Sequence, residues 1–203
     1  MLGRVVPFMV ESTLRTRTHR AVQAEIGAVA MRLFVEQGFD ATTTDQIARE
    51  VGISRRSLFR YFPTKEDIVL GEMVDAGLAV KKALEARPAN EPPWDALRAA
   101  MAAVSLDPAR SPEAILKMSK MMYATPSLRA SHFEKQLRWQ EFLAPNIAQR
   151  LGAGGGDRID PRAQALVACA LTCLDVATEI WTRRDGAGDL GEIYDQLVAA
   201  IRT

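Results

Sequence analysis

Three arginines fall within six residues, at Arg55, Arg56 and Arg60, beside the hydroxyls of Ser54, Ser57 and Tyr61. A guanidinium carries its donors in a planar fork that matches phosphate oxygens and the O6/N7 edge of guanine, so this cluster has the chemistry to hold nucleic acid. Nothing similar is gathered for catalysis. The two histidines, His19 and His132, are far apart in the chain, with no nucleophile or carboxylate pair beside them. Asp175 and Glu179, four apart, read as a polar seam on a helix. Cys169 and Cys173 share a helical face without histidines that would complete a zinc site, and read as ordinary thiols of a reducing compartment. The expectation is therefore no cofactor, no metal and no enzyme; the alternative of a small helical enzyme finds no residues to carry it.

The elements that must position the arginines can be read from capping and breaking residues. From Thr18, the apolar positions Val22, Ile26, Val29 and Leu33 repeat at helical spacing, and Gly38 ends that helix. Thr43 with Gln46 three residues later makes a capping box for a short helix over 44–51. Gly52 takes the turn, Ser54 caps a third helix over 55–61, and Pro63 stops it. Ile47, Ala48, Val51, Ile53 and Leu58 face the first helix, which leaves Arg55, Arg56, Ser57, Arg60 and Tyr61 outward. Two short helices across a tight glycine turn, with a basic outer face on the second, are a helix-turn-helix, which lays its second helix in the major groove. Residues 1–65 hold ten Arg/Lys against six Asp/Glu and residues 66–203 sixteen against nineteen, so the basic charge gathers at this end although the formal net charge is +1.

The run Ile26 to Ser54, continuing through Ser57-Leu58-Phe59-Arg60-Tyr61-Phe62-Pro63-Thr64-Lys65-Glu66, resembles the amino-terminal signature of TetR-family transcriptional regulators. The resemblance covers about a quarter of the chain. It implies an all-α protein of about nine helices: a three-helix DNA-binding head joined to a helical body for ligand sensing and dimerisation. By position, it implies that Thr43 touches a phosphate as well as capping its helix, that Ser54, Arg55, Arg56 and Ser57 open the reading helix, that Arg60 and Tyr61 continue it, and that Lys65 holds a backbone phosphate. Most members carry Tyr where this chain has Phe59, which leaves Phe59 a role in packing or van der Waals contact. The implied function is a ligand-responsive repressor that binds a pseudo-palindromic double-stranded operator as a homodimer and is released by a small, hydrophobic effector. The alternative is a DNA-binding regulator without a small-molecule ligand.

The expected division is a flexible basic arm over 1–17, the helix-turn-helix domain over 18–65 and the body over 66–203. Body helices are expected from Thr64 to about Glu85, then over about 93–105, 112–123, 126–151, 161–184 and 190–202, with a flexible loop at Ala153 to Asp157. Met101, Met118, Met121, Met122, Tyr123, Phe133, Trp139 and Phe142 form a methionine- and aromatic-rich middle suited either to an apolar ligand or to plain core. Pro126-Ser127-Leu128-Arg129, Trp139 and Leu151-Gly152 resemble a body type of actinobacterial members, some of which respond to hydrophobic or acyl-thioester compounds. The dimer is expected on the last two helices, through Ala165, Ala168, Cys169, Thr172, Cys173 and Val176, and through Ile193, Leu197, Ala200 and Ile201. No run of about 18 apolar residues or signal sequence stands out, so no membrane contact and a cytoplasmic location are expected.

Overall fold

The computed structural model describes residues 8–105, 111–152 and 160–201. These residues are helical, with no strand among them, in ten segments: α1 Phe8–Gln37, α2 Thr44–Val51, α3 Arg55–Tyr61, α4 Lys65–Leu70, α5 Glu72–Glu85, α6 Pro93–Ser105, α7 Pro112–Ala124, α8 Pro126–Arg150, α9 Pro161–Arg183 and α10 Leu190–Ile201. The chain divides into two compact units, Met1–Gly71 and Glu72–Thr203.

In the amino-terminal unit, Ile26, Ala30, Leu33 and Phe34 of α1 are buried together with Phe39, Ile47, Ala48, Leu58 and Phe62. Gly38 takes a left-handed φ of 90° after α1, and Thr42 turns its buried hydroxyl onto the Gly38 carbonyl at 2.8 Å. Two expectations change here. The arm expected over 1–17 is helical from Phe8. This stretch has no breaker after Pro7 and no apolar stripe, so a search for an amphipathic period does not find it; residues 1–7 lie outside the described ones. The head also ends later than Lys65, because Ile68, Val69 and Leu70 of α4 are buried and α4 packs on α1. Gly71 separates α4 from α5, where one helix through Glu85 was expected.

The carboxy-terminal unit packs α5 to α10 around one core containing Val80, Leu84, Leu97, Met101, Trp139, Leu143, Ile147, Val167, Leu171, Trp181, Ile193 and Val198. Four of its helices, α6 to α9, begin at Pro93, Pro112, Pro126 and Pro161, where the missing N–H is one of the unpaired donors of any helix start. Arg150 at the end of α8 donates to the carbonyls of Leu84 at 3.0 Å and Arg87 at 3.2 Å, which fastens α8 to the end of α5 and the turn after it. Contrary to the sequence expectation, α9 is by length and composition apolar enough to cross a membrane. Its apolarity has an internal use: Ala163, Val167, Ala170, Leu171, Cys173, Ala177 and Trp181 are buried against α6, α7, α8 and α10. The loop expected at Ala153 to Asp157 lies outside the described residues.

Candidate nucleic-acid interface

The geometry of the arginine helix follows from its caps. Thr43 accepts the Gln46 backbone N–H at 3.1 Å while the Gln46 side chain accepts the Thr43 N–H at 2.9 Å, which starts α2 at Thr44. Gly52 closes α2 with φ 77°, a left-handed turn that a Cβ would strain, and Ile53 donates back to the Ala48 carbonyl at 2.9 Å. Ser54 then accepts the Ser57 N–H at 3.1 Å and starts α3. With Leu58 buried, Arg55, Arg56 and Arg60 stand exposed, and Ser57 and Tyr61 are half-buried.

The arginines differ in their surroundings. The Arg55 guanidinium lies 5.4 Å from the centroid of Phe59 and its Nη1 is 3.6 Å from Asp45 Oδ2 in α2. Arg60 lies 5.5 Å from the ring of Tyr61. Arg56 makes no ion pair or hydrogen bond among the described residues. Phe59, expected as packing or van der Waals contact, is partly exposed and lies beneath Arg55. Tyr61 is held from α1: the His19 ring centroid is 4.9 Å away, His19 is bonded to Gln23 at 3.1 Å, and the Gln23 amide donates to the Tyr61 carbonyl at 3.3 Å.

Lys65 is held by the backbone of the head itself. Its Nζ donates to the carbonyls of Phe39 at 2.8 Å and Thr42 at 3.1 Å and lies 4.2 Å from the Phe39 ring centroid. The ammonium thus ties α4 to the loop after α1. Asp45, His19 and Gln23 were not anticipated. Asp45 was legible only as an acid in the first turn of α2, and the other two contact α3 across 38 or more residues of chain.

The body residues nominated as a lining differ in exposure. Met101, Met122 and Trp139 are buried in the core, Met118, Met121 and Phe142 are half-buried, and Phe133 is 56% exposed on α8. Phe133 lies with exposed Leu137, one turn along the outer face of α8. A cleft of about 70 Å³ lies between α6, α9 and α10, lined by Met101, Ala102, Leu174, Leu190 and Tyr194, with the Arg98–Asp195 ion pair at its edge. Of the nominated residues, only Met101 reaches it. Of the dimer residues, Cys173 and Ile193 turn into the body's own core, whereas Ala165, Thr172, Ala200 and Ile201 are exposed.

A polar network in the body was not foreseen. Asp175 Oδ1 of α9 is 3.0 Å from His132 Nε2 of α8 and accepts the Tyr123 hydroxyl of α7 at 3.1 Å. Gln136 lies 3.0 Å from His132 Nε2, and His132 Nδ1 is 3.1 Å from the Met73 sulfur of α5. Burial, reinforced by Asp175, raises the Tyr123 hydroxyl above its ordinary range. For Asp175, burial pushes upward, but the bonds from His132 and Tyr123 outweigh it and hold the carboxyl below its ordinary value.

Residues 26–71 match the family described as bacterial regulatory proteins, tetR family, and residues 91–203 match the MftR C-terminal domain. The regulator TcmR of Streptomyces glaucescens is 33% identical over 73% of this chain and 69% of its own length. MftR of Mycobacterium tuberculosis, provisionally assigned as a mycofactocin biosynthesis transcriptional regulator, is 30% identical over 87% of this chain and 89% of its own length. Among solved structures, the TetR-family repressor FadR of Thermus thermophilus in complex with lauroyl-CoA aligns over 87% of this chain and 91% of its own, with a TM-score of 0.56 and 21% identity. A Saccharomonospora viridis regulator in complex with choline aligns over 90% and 96%, with a TM-score of 0.51 and 19% identity. With both the arginine-bearing head and the helical body matched, the chain belongs to the TetR family of DNA-binding transcriptional regulators.

Proposed function

We propose that this regulator is a repressor that binds a pseudo-palindromic operator as a homodimer and leaves it when a small, largely hydrophobic effector occupies the body. The observation that carries the reading is the outward face of α3, where Arg55, Arg56 and Arg60 are exposed on a helix whose position is set by two caps and the Gly52 turn. Side chains at the start of such a helix reach base edges, and exposed cations along it meet phosphates. Thr43, Ser54, Ser57 and Tyr61 border that face. The dimer is supported by the exposed small and apolar residues of α9 and α10, and two recognition helices about 34–36 Å apart would span one turn of DNA.

An effector releases the operator only by binding the DNA-incompetent state more tightly, so the two ligands oppose each other by the same factor. The bound lauroyl-CoA and choline of the aligned regulators support a body that takes small molecules. Genome-wide mapping of bound sites, followed by displacement of the mapped duplex with fatty acids and acyl thioesters, tests the reading. A pseudo-palindrome that is released by one of these compounds is expected. Mapped sites that no compound releases would favour a regulator without a small-molecule ligand.

A further inference from the structure

We infer that Arg55 reads a guanine in the operator and that Asp45 and Phe59 are positioning residues that hold it for that contact. The inference rests on the operator-binding reading above and deepens it by separating the three arginines. Arg55 is the first residue of α3, the part of a recognition helix that reaches base edges. Its guanidinium is restrained by two groups, the Phe59 ring one turn ahead on α3 at 5.4 Å and the Asp45 carboxylate of α2 at 3.6 Å. Because Gly52 and the Ile53 to Ala48 bond fix α3 against α2, the two restraints act from separate elements with a set relation to each other.

A guanine contact needs a planar fork in one orientation, whereas a phosphate contact tolerates a mobile charge. Arg56, with no such partner among the described residues, and Arg60, beside Tyr61 but no carboxylate, suit phosphates. The carboxylate itself argues the same way. Asp45 is exposed on the helix next to the arginine face, where a bare negative charge would repel DNA. Its place in the first turn of α2 is favourable to the helix dipole, but that does not require it to reach across to Arg55. Paired with Arg55, its charge is offset and it directs the fork. The ring of Phe59, where relatives by resemblance carry Tyr, supplies the second wall.

Full-length wild type and the Arg55→Ala, Arg56→Ala, Asp45→Ala, Phe59→Leu and Phe59→Tyr variants, each checked by thermal melting, are put through enrichment from a random double-stranded DNA library. Affinities are then measured for the enriched duplex and its single-base variants at several salt concentrations. Wild type should prefer guanine at one position of each half-site by about tenfold or more. Arg55→Ala should lose that preference. Asp45→Ala and Phe59→Leu should weaken it several-fold at the same position without changing the salt dependence, and Phe59→Tyr, which keeps the ring, should leave it as in wild type. Arg56→Ala should weaken all duplexes alike and lower the salt slope by about one for each arginine lost, about two per homodimer. Arg55→Ala weakening every duplex equally, or Asp45→Ala strengthening every duplex with the guanine preference intact, would overturn the inference. Wild type enriching no sequence would remove the operator reading itself, and the inference with it.

Discussion

Trp139 donates its indole N–H to the main-chain carbonyl of Met73 at 3.0 Å, joining α8 to the first turn of α5. The approach depends on an absent side chain. A Cβ built at Gly77, one turn along α5, would stand 2.4 Å from the indole nitrogen. Met73 also meets His132 through its sulfur, so two α8 side chains seven residues apart fasten one residue of α5.

The substitution Gly77→Ala is therefore expected to destabilise the body by about 1–3 kcal/mol, the usual cost of overfilling a packed site. The indole is held by its own hydrogen bond and cannot swing away without leaving the Met73 contact. Thermal unfolding measures the effect; a melting temperature equal to or above that of wild type would show that α8 accommodates the methyl freely.

Lys65 offers a test that separates a structural cation from a phosphate contact. Replacing it with Met removes donors from the Phe39 and Thr42 carbonyls and should cost the head about 1–3 kcal/mol in denaturant unfolding. The slope of operator affinity against salt should stay as in wild type. A slope reduced by about one per lysine lost would return Lys65 to the phosphate contacts.

The Tyr123–Asp175–His132 network predicts where pH acts on the body. The Asp175 carboxyl is held below its ordinary value of 3.8, so its contribution is present above that value and disappears as pH falls through the lower folded one. Tyr123 is raised above 10.0, so its contribution is complete below that value and disappears as pH climbs towards the higher folded one. Asp175→Asn should flatten the acid limb of the stability profile relative to wild type, and Tyr123→Phe the alkaline limb. Profiles parallel to wild type across both limbs would show that the network is not linked to folding.

The helix starts were legible because they rest on local chemistry. Thr43 with Gln46, Ser54, Pro112 and Pro161 act within a single turn, and α2 and α3 occupy the expected residues. The beginning of α1 was not, because helix without an apolar stripe leaves no period to find. The exposed arginines followed from the same local reasoning, since burial of Ile47, Ala48 and Leu58 leaves one face over. Positions set by distant contacts escaped it. Lys65 turns to carbonyls 23 and 26 residues earlier, and Asp175 meets His132 across 43 residues. A methionine and aromatic stripe is equally consistent with core, lining or surface, and Met101, Phe142 and Phe133 show how differently its members are placed.

The central claim is that operator recognition resides on the outer face of α3, and footprinting on a mapped operator tests it most directly. Wild type is expected to protect two patches on one side of the duplex, about one helical turn or a multiple of it apart. A variant carrying Arg55→Ala, Arg56→Ala and Arg60→Ala, with melting behaviour close to that of wild type, is expected to protect neither. Full protection by that folded variant would contradict the account.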